Sequence, residues 1–100
     1  MALRDKYDLQ NLINEAEELV FLELETQLSE DWAKDICSCE DCVLDMAALA
    51  LNSLKPRYRV SLLGSVYASA LHEDTQERKN AHMIVNKAIR KISVNPSHGK

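Results

Sequence analysis

The stretch Cys37-Ser38-Cys39-Glu40-Asp41-Cys42-Val43-Leu44-Asp45-Met46-Ala47-Ala48-Leu49-Ala50-Leu51-Asn52-Ser53-Leu54-Lys55-Pro56 decides the fold. Its second half reads as a helix from about Asp41 to Leu54. Val43, Met46, Ala47, Ala50, Leu51 and Leu54 recur at steps of three and four and form one stripe. Leu44, Ala48 and Leu49 cover most of the remaining surface. A helix apolar nearly all round belongs in the middle of a core, so this one is expected to be central and buried. Asp45 and Asn52, seven apart, share one side of it. Buried polar groups need partners, so the pair either braces a neighbouring loop or faces a ligand. Pro56 ends the helix, because the residue before a proline disfavours helical geometry.

Two further helices flank this one. Leu9, Leu12, Ile13, Ala16, Leu19, Val20, Leu24 and Leu28 mark a helix from about Asp8 to Ser29, with Asp8 as its cap. Phe21 and Leu22 widen that stripe and hint at a second packing surface. Residues 29 to 40, with Trp32 among them, are polar and non-helical. Ala81, Ile84, Val85, Ala88, Ile89 and Ile92 define a last helix from about Thr75 to Ile92. Asp74 and Glu77 resemble a capping box at its start, and Arg90 and Lys91 suit the negative end of its dipole. Asn95-Pro96 closes it, and a frayed tail is expected from about residue 97. Residues 57 to 67 alternate as an extended segment, with Gly64 allowing a turn, and Val66 to Glu73 fits helix or loop. The expectation is an all-α fold, a small compact helical domain of three to four helices spanning residues 1 to 100.

A chain of 100 residues with 46% hydrophobic residues, two glycines and two prolines is globular rather than disordered or fibrous. A domain this short buries a modest fraction of its surface, so a metal or a partner subunit is expected to support it. No apolar run is long enough to span a membrane, and the first residues carry no secretion signal, so a cytoplasmic location is expected. Residues 1 to 54 hold three basic and thirteen acidic residues, net −10; residues 55 to 100 hold nine basic and three acidic, net +6. Either the second half seeks an anion or the two halves attract each other. The acidic half argues against duplex nucleic acid.

Cys37, Cys39 and Cys42 lie within six residues. A reduced compartment keeps such thiols free, and the Cys39-x-x-Cys42 step is that of a zinc knuckle. Cys42 starts a helix, where the dipole favours thiolate. Tetrahedral zinc wants a fourth ligand, for which His72, His82, His98, water, a carboxylate or another subunit are candidates. Three free thiols and a redox or catalytic thiol are the competing readings. No glycine-rich phosphate loop and no catalytic triad motif is present, so no enzyme is expected. Lys55, Arg57 and Arg59 alternate with Pro56 and Tyr58. In an extended chain the three cations share a side, where guanidinium groups can grip phosphate and Tyr58 can stack. The competing reading is a solvated loop with Tyr58 in the core.

Cys37-x-Cys39-x-x-Cys42-x-x-Asp45-x-x-Ala48-Leu49-Ala50-Leu51-Asn52-x-Leu54-x-Pro56-x-Tyr58 resembles the signature of the ComFB, or late competence development, family; Glu18-Leu19-Val20, Ala88-Ile89 and Asn95-Pro96 extend the likeness over most of the chain. Lys55 stands where many relatives have a proline. The resemblance implies a small, helical, non-enzymatic regulatory protein that forms homodimers, holds structural zinc on Cys37, Cys39 and Cys42, and binds a cyclic dinucleotide messenger, cyclic di-GMP or cyclic di-AMP. It would relay that signal to a downstream protein. Arg57, with Tyr58 and Arg59 behind it, would contact the ligand, and Asn52 would hydrogen-bond toward the loop. A zinc-stabilised interaction module without a small ligand is the alternative.

Overall fold

The computed structural model describes residues 2 to 60 and 75 to 95. A one-turn helix α1 (Leu3–Lys6) precedes a 3-10 turn at Leu9–Asn11, strand β1 (Leu12–Asn14) and helix α2 (Glu15–Leu28). A second 3-10 turn at Asp31–Ala33 leads to helix α3 (Glu40–Ser53), strand β2 (Tyr58–Val60) and helix α4 (Thr75–Ser93). No described helix is long and apolar enough to cross a membrane.

The core forms where α2, α3 and α4 meet. Val20 and Leu24 from α2, Cys42, Met46, Ala47 and Ala50 from α3, and Val85, Ala88 and Ile89 from α4 make one buried cluster. The alanines matter because small side chains at a crossing let helix axes approach toward the lower end of the usual interaxial range of about 8–10 Å. Gln27 is fully buried beside this cluster. Its amide nitrogen donates to Glu23 Oε1 at 2.8 Å and to the His82 carbonyl at 3.1 Å, and its oxygen accepts from Asn86 Nδ2 at 2.9 Å. A buried amide so satisfied ties α2 to α4 without a desolvation penalty left open.

Three sequence expectations change. The first helix begins at Glu15, not Asp8. Asp8 caps only the 3-10 turn, accepting from the Gln10 amide at 3.1 Å, while Asn14 caps α2 by accepting from the Ala16 amide at 3.1 Å. The backbone of Leu12–Asn14 instead pairs antiparallel with β2, with Leu12 opposite Val60, Ile13 opposite Arg59 and Asn14 opposite Tyr58. Leu9, Leu12 and Ile13 are too few to separate helical spacing from a turn followed by a strand. Secondly, the extended segment is half of a two-stranded ribbon, supported by the helices rather than standing alone.

Thirdly, α3 leaves one stripe of its surface open among the described residues. Cys42, Met46, Ala47 and Ala50 are buried, but Leu44, Ala48 and Asn52 are exposed, and Asp45 is half-buried with a polar partner. Leu54, just past the end of α3, is extended, so the helix has stopped before Lys55, the residue that Pro56 turns away from helical geometry. The last helix matches its expected span to within one residue. The segment from 61 to 74, including Asp74 of the capping box, and the tail from 96 onward lie outside the described residues.

Candidate metal centre and cationic strand

Cys39 is the N-cap of α3, and the Val43 amide donates to its carbonyl at 2.9 Å. That first turn brings Cys42 back over Cys39, and Ile36, packed against the core, aims the incoming chain so that Cys37 closes the group. The three sulfurs lie within 4.8 Å of one another. Tetrahedral zinc with Zn–S bonds of about 2.3 Å needs sulfurs about 3.8 Å apart, so small side-chain adjustments suffice. Cys37 and Cys39 are exposed and Cys42 is buried, so the group is anchored in the core and open at its rim. Burial, with hydrogen bonds from Cys39 and Cys37 behind it, pushes the Cys42 thiol up to about 12. Without metal, Cys42 is therefore a neutral thiol at ordinary pH, the opposite of what a reactive cysteine needs. A bound cation would supply the charge that makes three adjacent thiolates compatible.

The cationic strand has the expected alternation. Arg57 and Arg59 point to one side and Tyr58, 63% exposed, to the other. The side they share is inward. Arg59, its side chain only 16% exposed, forms an ion pair with Glu15, the buried first residue of α2. Arg57 grips Glu77 of α4 with two nitrogens: Nε donates to Oε2 at 3.2 Å and Nη2 to Oε1. Its backbone is tied as well, the amide donating to Asn14 Oδ1 at 2.8 Å and the carbonyl accepting from the Glu15 amide at 2.7 Å. The Arg57 side chain stays 40% exposed. Asn52 is exposed on α3 and Lys55 is exposed ahead of the strand.

The model of the family described as late competence development protein ComFB matches residues 13–96. Among solved structures, the late competence protein ComFB from Bacillus subtilis is similar, with a TM-score of 0.71 and 27% identity over 86% of this chain and 94% of that one. No curated protein matched. The chain belongs to the ComFB family. The ComFB match takes in the three clustered cysteines, Asn52, the cationic strand and nearly all of the ribbon.

The structure thus brings Cys37, Cys39 and Cys42 together, and places Arg57 and Arg59 against carboxylates of the same chain. Sequence reasoning missed Asn14, Glu15 and Glu77 as the residues that organise the ribbon. The charge asymmetry of the two halves was the available signal, and Glu15 with Arg59 is one such attraction realised. Glu77 was legible only as a cap residue, because nothing in its spacing points to Arg57, twenty residues away.

Proposed function

We propose that this ComFB chain is a non-enzymatic regulatory module in which zinc on Cys37, Cys39 and Cys42 pins the start of α3, and which works by binding another protein. The observation that carries this is the group of three cysteine sulfurs within 4.8 Å at a loop–helix junction. Reduced thiols suit a cytoplasmic setting. Pinned in this way, the domain holds out exposed apolar groups on several elements: Phe21 and Leu22 on α2, Leu44 on α3, and Leu12, Tyr58 and Val60 on the ribbon. Apolar surface of this kind on a small domain marks contact sites, and a homodimer is the simplest contact it can make. The test is metal analysis of the purified protein, followed by unfolding with and without a chelator and sedimentation of both forms. One zinc per chain, and a metal-dependent melting temperature and mass, support the reading. A metal-free protein whose melting is indifferent to chelation defeats it.

A receptor for cyclic di-GMP or cyclic di-AMP is the second reading, favoured by the exposed Tyr58 ring beside the part-exposed Arg57. It takes second place because both guanidiniums are occupied: a phosphate would have to displace Glu77 from Arg57, and Arg59 stays behind with Glu15. Calorimetry with each dinucleotide decides it. Heat that vanishes in Arg57→Ala supports a receptor, and no heat at high micromolar ligand ends that reading.

A further inference from the structure

We propose that Cys39 and Cys42 form an oxidation site, at which a peroxide converts two metal-holding thiolates into one disulfide and so discharges the metal. The inference rests on the metal reading above and adds what makes the metal leave.

The three sulfurs differ in access. Cys37 and Cys39 are exposed, whereas Cys42 is only 1% exposed and belongs to the core cluster with Val20, Met46 and Ile89. A small oxidant therefore meets the group at its rim and not at Cys42. An exposed thiolate beside a second sulfur takes up an oxidant reversibly, because its first oxidised product is captured before it goes further. All three sulfurs lie within 4.8 Å of one another, so side-chain rotation is enough to bring two of them into bonding contact.

Backbone geometry selects the pair. Cys39 is the N-cap of α3 and Cys42 lies in its first turn. The Val43 amide donates to the Cys39 carbonyl at 2.9 Å, so that turn is closed. Residues three apart on a helix have Cα atoms roughly 5 Å apart. A disulfide accepts Cα separations of about 4.4–6.8 Å, so this pair can be bridged with the backbone in place. Cys37 and Cys39 would instead close a tight ring over a single residue, Ser38. Thiol–disulfide exchange moves a bond first made there to the less strained pair.

The chemistry balances with hydrogen peroxide as the oxidant. The Cys39 sulfur attacks one peroxide oxygen, the O–O bond breaks and hydroxide leaves, so Cys39 becomes a sulfenic acid. The Cys42 sulfur then attacks the Cys39 sulfur, an S–S bond forms and a second hydroxide leaves. The two thiolates give up two electrons and the peroxide takes both. Thiolate is the metal ligand and a disulfide is not, so only Cys37 is left, too few for a site that wants four donors. The S–S bond keeps the first turn of α3 closed, whereas Cys37 loses its tie to α3. A dithiol reverses the change by exchange and restores the donors.

The experiment titrates the full-length, zinc-loaded protein with hydrogen peroxide. A coloured chelator reads the zinc released, and peptide masses are taken after free thiols have been alkylated. Glu40 and Asp41 separate the two cysteines, so cleavage at these acidic residues leaves the fragments joined only by the S–S bond. The expected result is one zinc released per chain, the mass of two hydrogens lost, Cys39 bonded to Cys42 and Cys37 alkylated. Zinc should bind again once a dithiol has been added and removed. Zinc retained in excess peroxide overturns the inference. So does zinc released with sulfinic or sulfonic acids and no disulfide, a bond that maps to Cys37, or a bond between two chains. A purified protein that binds no zinc overturns the metal reading itself, and this step with it.

Discussion

The knot of three clustered thiols and the ribbon clamp border the same three-helix core and are built in opposite ways. The knot draws its three thiols from within a six-residue stretch, and its shape follows from one helical turn and the residues just before it. The clamp draws Asn14 from the end of β1, Glu15 from the start of α2, Arg57 from just before β2, Arg59 from β2 and Glu77 from α4, and no two partners across it are neighbours in sequence. One device is local and, on the proposal above, is completed by a cation; the other is assembled by the fold from ion pairs of its own. The difference teaches that spacing can announce which side chains share a side, as it did for Arg57 and Arg59, yet not what stands on that side.

Metal removal should separate the two devices most strongly. Chelation of the zinc-loaded protein is expected to cost roughly 3 kcal/mol or more, a fall in melting temperature on the order of 15 °C for a domain of this size. Calorimetry measures it, and a shift within a few degrees would mean that the clamp alone suffices. Next comes the buried ion pair. Glu15→Ala strands the Arg59 guanidinium in the interior and is expected to cost about 3–5 kcal/mol in urea unfolding. Replacing both partners, Glu15→Leu with Arg59→Met, should recover most of that loss, because the burden lies in the unpaired charge and not in the missing pair. A single-variant loss below about 1 kcal/mol would show the pair to be hydrated.

Asn14 sharpens the comparison at intermediate size. Its one oxygen accepts from both Ala16 and Arg57, so Asn14→Ala removes a helix cap and a ribbon tie together, for about 1–2 kcal/mol by the same measurement. Arg57→Ala should matter less. Its pair with Glu77 is part-exposed, and the expected loss is about 1 kcal/mol or less, which leaves that variant folded for the nucleotide titration.

The smallest effect at neutral pH is that of Cys42 in the metal-free protein. Its thiol is held at about 12 in the fold against 9.0 ordinarily. Below pH 9 the thiol is neutral in both folded and unfolded chains, and this contribution to stability is fully present. Between pH 9 and 12 the unfolded chain loses its proton first, so stability should fall as pH rises. Cys42→Ala should remove that slope in alkaline unfolding curves. Metal affinity should run the other way and strengthen with pH, since each ligand must shed a proton.

Much of this molecule was legible in its residues. The long periodic stripes of α3 and α4, the stop imposed by Pro56 and the cysteine spacing are local signals, and each stands close to where the pattern put it. Leu12–Asn14 was not legible, because three residues cannot distinguish a strand from a helical turn until a partner strand supplies the hydrogen bonds. The exposure of Leu44, Ala48 and Asn52 was not legible either: hydrophobicity says that a face can be buried, and only the number of neighbouring elements says whether this chain buries it. Residue spacing alone was enough for α3, α4, the body of α2, the grouping of the cysteines and the side shared by Arg57 and Arg59. The tertiary structure decided that this side faces Glu15 and Glu77, because ion pairs between distant residues form only after packing has closed the loops that separate them.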